Sequence, residues 1–255
     1  MNRQVTPEDQ SIEVWCFRLD ESSKRVDQLI ELLPDSEKQM KDRGVVPEIG
    51  LRATVARAGL RSILSHYLGA PAPSITLNIG EHGKPTLDGE SIVFNLSHSE
   101  SLAMVAITTT HSIGVDLERV RTDAPIEDLA VRCFSRRELS QWQSLPIQQR
   151  RTSFFHLWTQ KESFVKAHGG GMTIPLHQFD CQVDPAGGGA LLDSRIDGDD
   201  PANWSIIAGE RTPMVRFAIT YAGVDHKIVD VDPQHVGLSR WGCSACFAFQ
   251  HVFGP

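Results

Sequence analysis

Twice along this chain a long helical stretch ends in glycine, with short β-branched runs on either side of it. In the first half, residues 48–68 place Val55, Ala56, Leu60, Ile63, Leu64, Tyr67 and Leu68 at helical spacing, and Gly69 stands where a C-terminal cap belongs. Residues 12–19 (IEVWCFRL) predict a strand ahead of that helix, with shorter helices over 24–33 and 35–43. Strands are expected after it at 75–79, 92–96 and 102–107. The second half has the same grammar: a strand at 113–118, a helix near 125–132, another from Ser135, and a long one from about 148 to 168. Gly169-Gly170-Gly171 ends that last helix, and strands follow at 178–183, 204–208, 214–221 and 228–231. The expected fold is therefore α+β, in two similar halves over residues 1–111 and 112–232, each a long helix packed on a small antiparallel sheet. The Gly/Asp/Pro-rich stretch 185–201 reads as an exposed loop, and the tail 233–255 fits neither half.

Composition narrows the function classes. Of 255 residues, 40% are apolar and 22% charged, enough apolar content for a packed core. A net charge of −7 leaves no global basic field, which argues against a nucleic-acid-binding protein. Arg3, Glu8, Asp9, Glu13 and Asp20 interrupt the start of the chain, so it does not read as a signal peptide, and no apolar run approaches bilayer-spanning length. Five cysteines, an odd number at scattered positions, read as a reduced, cytoplasmic compartment. Cys243 and Cys246 form a lone C-x-x-C without a second ligand pair, and read as small tail residues.

Four groups of residues carry potential chemistry. In Gly114-Val115-Asp116-Leu117-Glu118, strand alternation sends Asp116 and Glu118 to one face and Val115 and Leu117 into the core. Two adjacent carboxylates repel unless a cation joins them, and hard oxygen ligands suit Mg²⁺; a solvated strand face is the other reading. In Trp158-Thr159-Gln160-Lys161-Glu162-Ser163-Phe164-Val165-Lys166, Glu162 and Lys166 share a helix face at i and i+4. That spacing also decorates ordinary surfaces, but Phe155, Trp158, Phe164 and Val165 make this helix largely buried, where a charged pair needs a partner or a task. Phe94-Asn95-Leu96-Ser97-His98-Ser99 ends an apolar strand in hydroxyls and an imidazole, suited either to phosphate oxygens or to a turn. Lys38, Lys41, Arg52 and Arg61 form a scattered cationic set whose default is solvated surface. Ser135-Arg136-Arg137-Glu138 has the spacing of a capping box, in which Gln would serve as well as Glu.

Taken together, GKP at 83–85, FNLSHS at 94–99, IGVDLE at 113–118, FSRRE at 134–138 and WTQKESFVKAHGGGM at 158–172 resemble the Sfp-type 4′-phosphopantetheinyl transferases. The resemblance runs from about residue 34 to 180 and implies a site between two α+β halves. It further implies that Asp116, Glu118 and Glu162 hold Mg²⁺, and that Lys166, Ser97 and His98 contact coenzyme A phosphates. Lys38, Lys41 and Arg52 match the region holding the 3′-phosphate in relatives, and Lys84 with Pro85 borders the adenine. The implied reaction moves phosphopantetheine from coenzyme A to a serine of an apo acyl or peptidyl carrier protein and releases 3′,5′-ADP. Glu162 and Glu138 are both candidates to accept the serine proton, alongside Lys166 as the catalytic cation. Arg132, Arg136 and Arg137, beside Phe134, offer a docking surface for an acidic carrier, with the enzyme expected to be a monomer. Two other readings use the same residues: a metal-dependent nucleotide pyrophosphate hydrolase and a coenzyme A-binding homologue without turnover.

Overall fold

Strand β1 (Ser11–Arg18) is apolar on both faces, with Ile12, Val14 and Cys16 on one side and Trp15 and Phe17 on the other, all buried. A strand covered on both faces belongs in the middle of a layered structure, and that is where β1 lies. The computed structural model describes residues 7, 10–42, 46–89, 92–109, 112–224 and 226–241, so Cys243 and Cys246 fall outside the described residues. After β1 come helices α1 (Ser23–Ile30), α2 (Asp35–Lys38) and α3 (Pro47–Leu68), then strands β2 (Asn78–Ile79), β3 (Pro85–Thr86), β4 (Val93–Ser99), β5 (Leu102–Thr108) and β6 (Ile113–Arg119). Helices α4 (Ile126–Cys133), α5 (Arg136–Ser144) and α6 (Ile147–His168) precede β7 (Phe179–Cys181), β8 (Leu191–Ser194), β9 (Trp204–Thr212), β10 (Val215–Ala222) and β11 (Lys227–Val231).

Two sheets carry the architecture, in the orders β11-β1-β5-β4 and β6-β10-β9. Helix α3 packs on the Trp15, Phe17, Val105 and Ile107 face of the first, and α6 on the Ala208 and Ala218 face of the second. The remaining faces meet each other: Ile12, Val14 and Met104 lie against Val115, Leu117, Phe217 and Ile219. The order of layers is helix, sheet, sheet, helix, an α+β arrangement in which each long helix ends at a left-handed glycine, Gly69 and Gly169.

The chain does not divide as its linear pattern suggests. Strand β11, expected in the second half, pairs in parallel with β1 of the first sheet. Residues beyond it follow: Leu238 joins the core under α3, Ser62 donates to the Val236 carbonyl at 2.8 Å, and the Arg18 amide donates to Ser239 at 3.1 Å. The described part of the tail therefore belongs to the first half. The expected loop 185–201 contains β8, which pairs antiparallel with β7 and buries Leu191.

One residue sets how closely the second half packs. A Cβ placed on Gly114 of β6 would stand 2.1 Å from the Ser163 carbonyl oxygen and 2.4 Å from the Ala167 amide nitrogen, both backbone atoms of α6. Backbone in a packed helix cannot step aside as a flexible side chain would. The hydroxyls of Ser163 and Thr220 meet at 2.7 Å beside this contact. Gly114→Ala should therefore cost about 3 kcal/mol or more, at the upper end of overpacking penalties. Urea unfolding of the variant measures it, and a midpoint equal to that of the parent protein would contradict the close approach.

Candidate functional site

Alternation along β6 points Gly114, Asp116 and Glu118 toward α6, where Glu162 and Lys166 stand one turn apart and half-buried. The Lys166 ammonium is 2.6 Å from Asp116 Oδ1, 3.1 Å from the Val115 carbonyl and 3.3 Å from Ser97 Oγ. Burial raises the Glu118 carboxyl above its usual range, and the Asp116 charge raises it further. Glu162 is raised in the same way, first by burial and then by Asp116, against the opposing pull of Lys166. Three carboxylates thus crowd one ammonium. Asp116 Oδ2 is buried and has no hydrogen-bond partner among the described residues.

That donor set fits a hard divalent cation. Mg²⁺ is ordinarily held by one or two protein carboxylates, with substrate oxygens and water completing the shell. Among the described residues no group of three or more His, Cys, Asp or Glu side chains is placed to hold a metal ion by itself. The orphaned carboxylate oxygen of Asp116 and the raised pKa values of Glu118 and Glu162 are relieved by any cation that joins them.

The other wall is cationic. Lys84 donates to the Ile113 and Lys166 carbonyls, both at 2.8 Å, and its pKa falls to about 8 through burial and then the Lys166 charge. His98 keeps an exposed surface, yet the protein around its ring and the Lys166 ammonium hold it below its usual pKa. Lys84, Pro85, Asn95, Lys166 and Gly171 line a cavity of about 210 Å³ with no carboxylate in its wall. Such a wall suits an anion.

Asn95, Ser97 and Ser99 reach from β4 to β6, where Asn95 Oδ1 accepts the Val115 amide at 2.8 Å and Ser97 Oγ accepts the Leu117 amide at 3.2 Å. Ser99 Oγ accepts the Arg119 amide at 3.1 Å, so side chains join the two sheets where no backbone pairing does. This use of the strand end was not legible as either a phosphate site or a turn.

Elsewhere the expected residues separate. Lys38 pairs with Asp35 at 3.1 Å and Glu31 at 3.8 Å, Lys41 is exposed, and Arg52 binds Asp20 at 2.8 Å. These three lie on α2, the turn after it and α3, and none of the ion pairs among the described residues links them to Asp116. Arg61 is buried, grips Glu37 with two hydrogen bonds and holds the Ala72 and Ile75 carbonyls, which makes it a structural tie. Phe134 is buried against Trp142 and Phe154 and reaches only the floor of the cavity beside these arginines; Val131 is the apolar residue exposed there.

Glu138 forms the capping box with Ser135. It is also 1% exposed and pairs at 2.9 Å with Lys161, which is 0% exposed. Its Oε1 accepts the Cys181 amide and its Oε2 the Ser135 amide, both at 2.7 Å. Lys161 spends its other donors on the Leu176 and Phe179 carbonyls and lies over the Phe179 ring. This pair pins the α6 turn carrying Glu162 onto α5 and β7. Lys161 was not singled out from sequence, although a lysine between Trp158 and Phe164 on a buried helix was the available signal.

Residues 112–222 match the family model of the 4′-phosphopantetheinyl transferase superfamily. The chain is 37% identical over 178 residues to 4′-phosphopantetheinyl transferase HetI of Nostoc sp., covering 68% of this chain and 75% of the relative. It is 37% identical over 128 residues to 4′-phosphopantetheinyl transferase gsp of Aneurinibacillus migulanus, covering 50% of this chain and 52% of that one. With 4′-phosphopantetheinyl transferase Sfp of Bacillus subtilis it shares 32% identity over 130 residues, 50% of this chain and 56% of the relative. By the family model and these relatives the chain is a transferase, and it belongs to the 4′-phosphopantetheinyl transferase superfamily.

The Lys161 contact changes what a Gln at position 138 does. Gln preserves the cap but leaves a buried ammonium without its counter-charge, so Glu138→Gln should lose about 3 kcal/mol of stability. Chemical denaturation checks this, and unaltered stability would show that the cap alone accounts for Glu138.

Proposed function

We propose that this transferase moves the 4′-phosphopantetheine arm of coenzyme A onto a serine of an apo acyl or peptidyl carrier protein, with Mg²⁺. The observation that carries the reading is the meeting of the β6 and α6 carboxylates with the cation-lined cavity under Lys84 and Lys166. A pyrophosphate needs both: cations along its oxygens, and carboxylates to hold the metal that shares its charge. Asp116 and Glu118 would hold Mg²⁺, with Glu162 as a third ligand or as the group left free; bound there, the ion supplies Lewis-acid polarisation of the pyrophosphate.

The chain's own groups do the rest. Lys166, within reach of Ser97 and His98, neutralises charge on the β-phosphate as the carrier serine oxygen forms its bond to phosphorus and the bond to the 3′,5′-ADP oxygen breaks. Glu162 is the group best suited to take the serine proton, directly or through water, because burial and Asp116 raise its proton affinity and Lys166 sits one turn away. Glu138 is poorly suited, since both its oxygens are engaged. Lys38 and Arg52 would take the 3′-phosphate by exchanging their surface carboxylate partners for it, joined by the exposed Lys41. Arg132, Arg136, Arg137 and Arg195 line an open cavity of about 540 Å³ with Val131, a cationic face for an acidic carrier. Among the described residues no helix is long and apolar enough to cross a membrane.

The test is incubation with coenzyme A, Mg²⁺ and a panel of apo carrier proteins, followed by intact mass of the carrier and assay of 3′,5′-ADP. Asp116→Ala should abolish transfer while the protein stays folded, because relief of repulsion with Glu118 and Glu162 offsets the lost Lys166 contact. Near-normal turnover of that variant would overturn the metal assignment, and 3′,5′-ADP release without carrier would favour a hydrolase. Neutralising Lys38, Lys41 and Arg52 together should weaken coenzyme A at least tenfold more than 3′-dephospho-coenzyme A, each charge-assisted contact being typically worth about 1.5–3 kcal/mol. Equal weakening, read by calorimetry, would leave them as surface charge.

A further inference from the structure

The three side chains that join β4 to β6 are not alike, and the difference follows the carboxylates. Each accepts a backbone amide of β6: Asn95 from Val115, Ser97 from Leu117, Ser99 from Arg119. Joining the sheets requires only an acceptor. Asn95 supplies a carbonyl oxygen, and the β6 residue preceding its partner is Gly114, which has no side chain to hold. At the next two rungs the preceding residues are Asp116 and Glu118, and there the β4 residue is a serine, whose hydroxyl also has a proton to give. Ser97 donates to Asp116 Oδ1 at 3.0 Å and Ser99 donates to Glu118 Oε2 at 2.9 Å.

We propose that Ser99 is a positioning residue that orients Glu118 toward the cation, repeating one strand step away the geometry of Ser97 with Asp116. The amide of Arg119 occupies one lone pair of the Ser99 hydroxyl and thereby aims its proton at Glu118. One carboxylate oxygen is then fixed and the other is left to turn toward the metal. Unlike Asp116, Glu118 has no ammonium in hydrogen-bond contact among the described residues, and the Ser99 hydroxyl anchors it instead. Ser99 lies at the end of β4 and is half-buried, so losing its hydroxyl leaves the core intact.

The inference rests on the proposed Mg²⁺-dependent transfer and is separable from it. In Ser99→Ala the Mg²⁺ concentration giving half-maximal transfer should rise about 10- to 100-fold, the usual cost of losing an outer hydrogen bond to a metal ligand. Mn²⁺ binding to the protein with coenzyme A, read by electron paramagnetic resonance, should weaken by the same factor, with melting temperature almost unchanged. Ser99→Thr, which keeps the hydroxyl, should restore both. Unchanged Mg²⁺ dependence and Mn²⁺ affinity in Ser99→Ala, or a Thr variant that behaves like Ala, would overturn the role. A wild-type protein that transfers without any divalent cation would instead overturn the underlying reading.

Discussion

The close approach of α6 to β6 at Gly114 is the constraint on which the site depends. With any side chain at 114, the helix would stand off the sheet by the depth of a methyl group. Lys166 could not then lie 2.6 Å from Asp116 while also touching the Val115 carbonyl. Two pins hold the helix in that position. The buried Lys161–Glu138 pair ties α6 to α5 and β7, and Lys84 clamps the carbonyl of Lys166 from the β2–β3 hairpin. A site that must keep charges within about 0.5 Å of a working geometry needs such rigid backing.

Electrostatically the site is left unfinished. Glu118 and Glu162 are destabilised as anions by burial and by Asp116, and Asp116 keeps one buried oxygen without a partner among the described residues. Lys166 balances only part of this charge. Beside it stand Lys84 and His98, whose proton affinity is lowered first by burial and then by the Lys166 charge. Charge left unbalanced in a half-buried site is costly in isolation, and the proposed metal–pyrophosphate unit would relieve both sides together.

Much of this was legible in the linear pattern because it rests on local periodicity. Period two on β6 put Asp116 and Glu118 together, and period 3.6 on α6 put Glu162 with Lys166. The capping box of Ser135 and Glu138 was equally local and stands as read. What escaped depends on contacts distant in sequence. Strand β11 reads like its neighbours, yet it crosses to β1 more than two hundred residues earlier, so the apparent halves exchange a strand. Lys161 drew no notice in the linear pattern, because only the closure of β7 and α5 over it makes it a buried partner of Glu138. Arg61 read by default as solvated surface charge, yet Glu37 and two carbonyls enclose it, and the serines of β4 showed their second use only once β6 lay beside them.

An open site completed by its substrate makes a thermodynamic demand, since two ligands that complete one another must strengthen one another's binding equally. The most direct measurement is calorimetric titration of Mn²⁺ into the protein with and without coenzyme A, and of coenzyme A with and without Mn²⁺. The account predicts weak metal binding to the protein alone, a gain of about tenfold or more when coenzyme A is present, and the same factor in the reverse experiment. Metal binding of equal strength with and without coenzyme A would contradict it, because the carboxylates of β6 and α6 would then form a closed site with no part for the pyrophosphate.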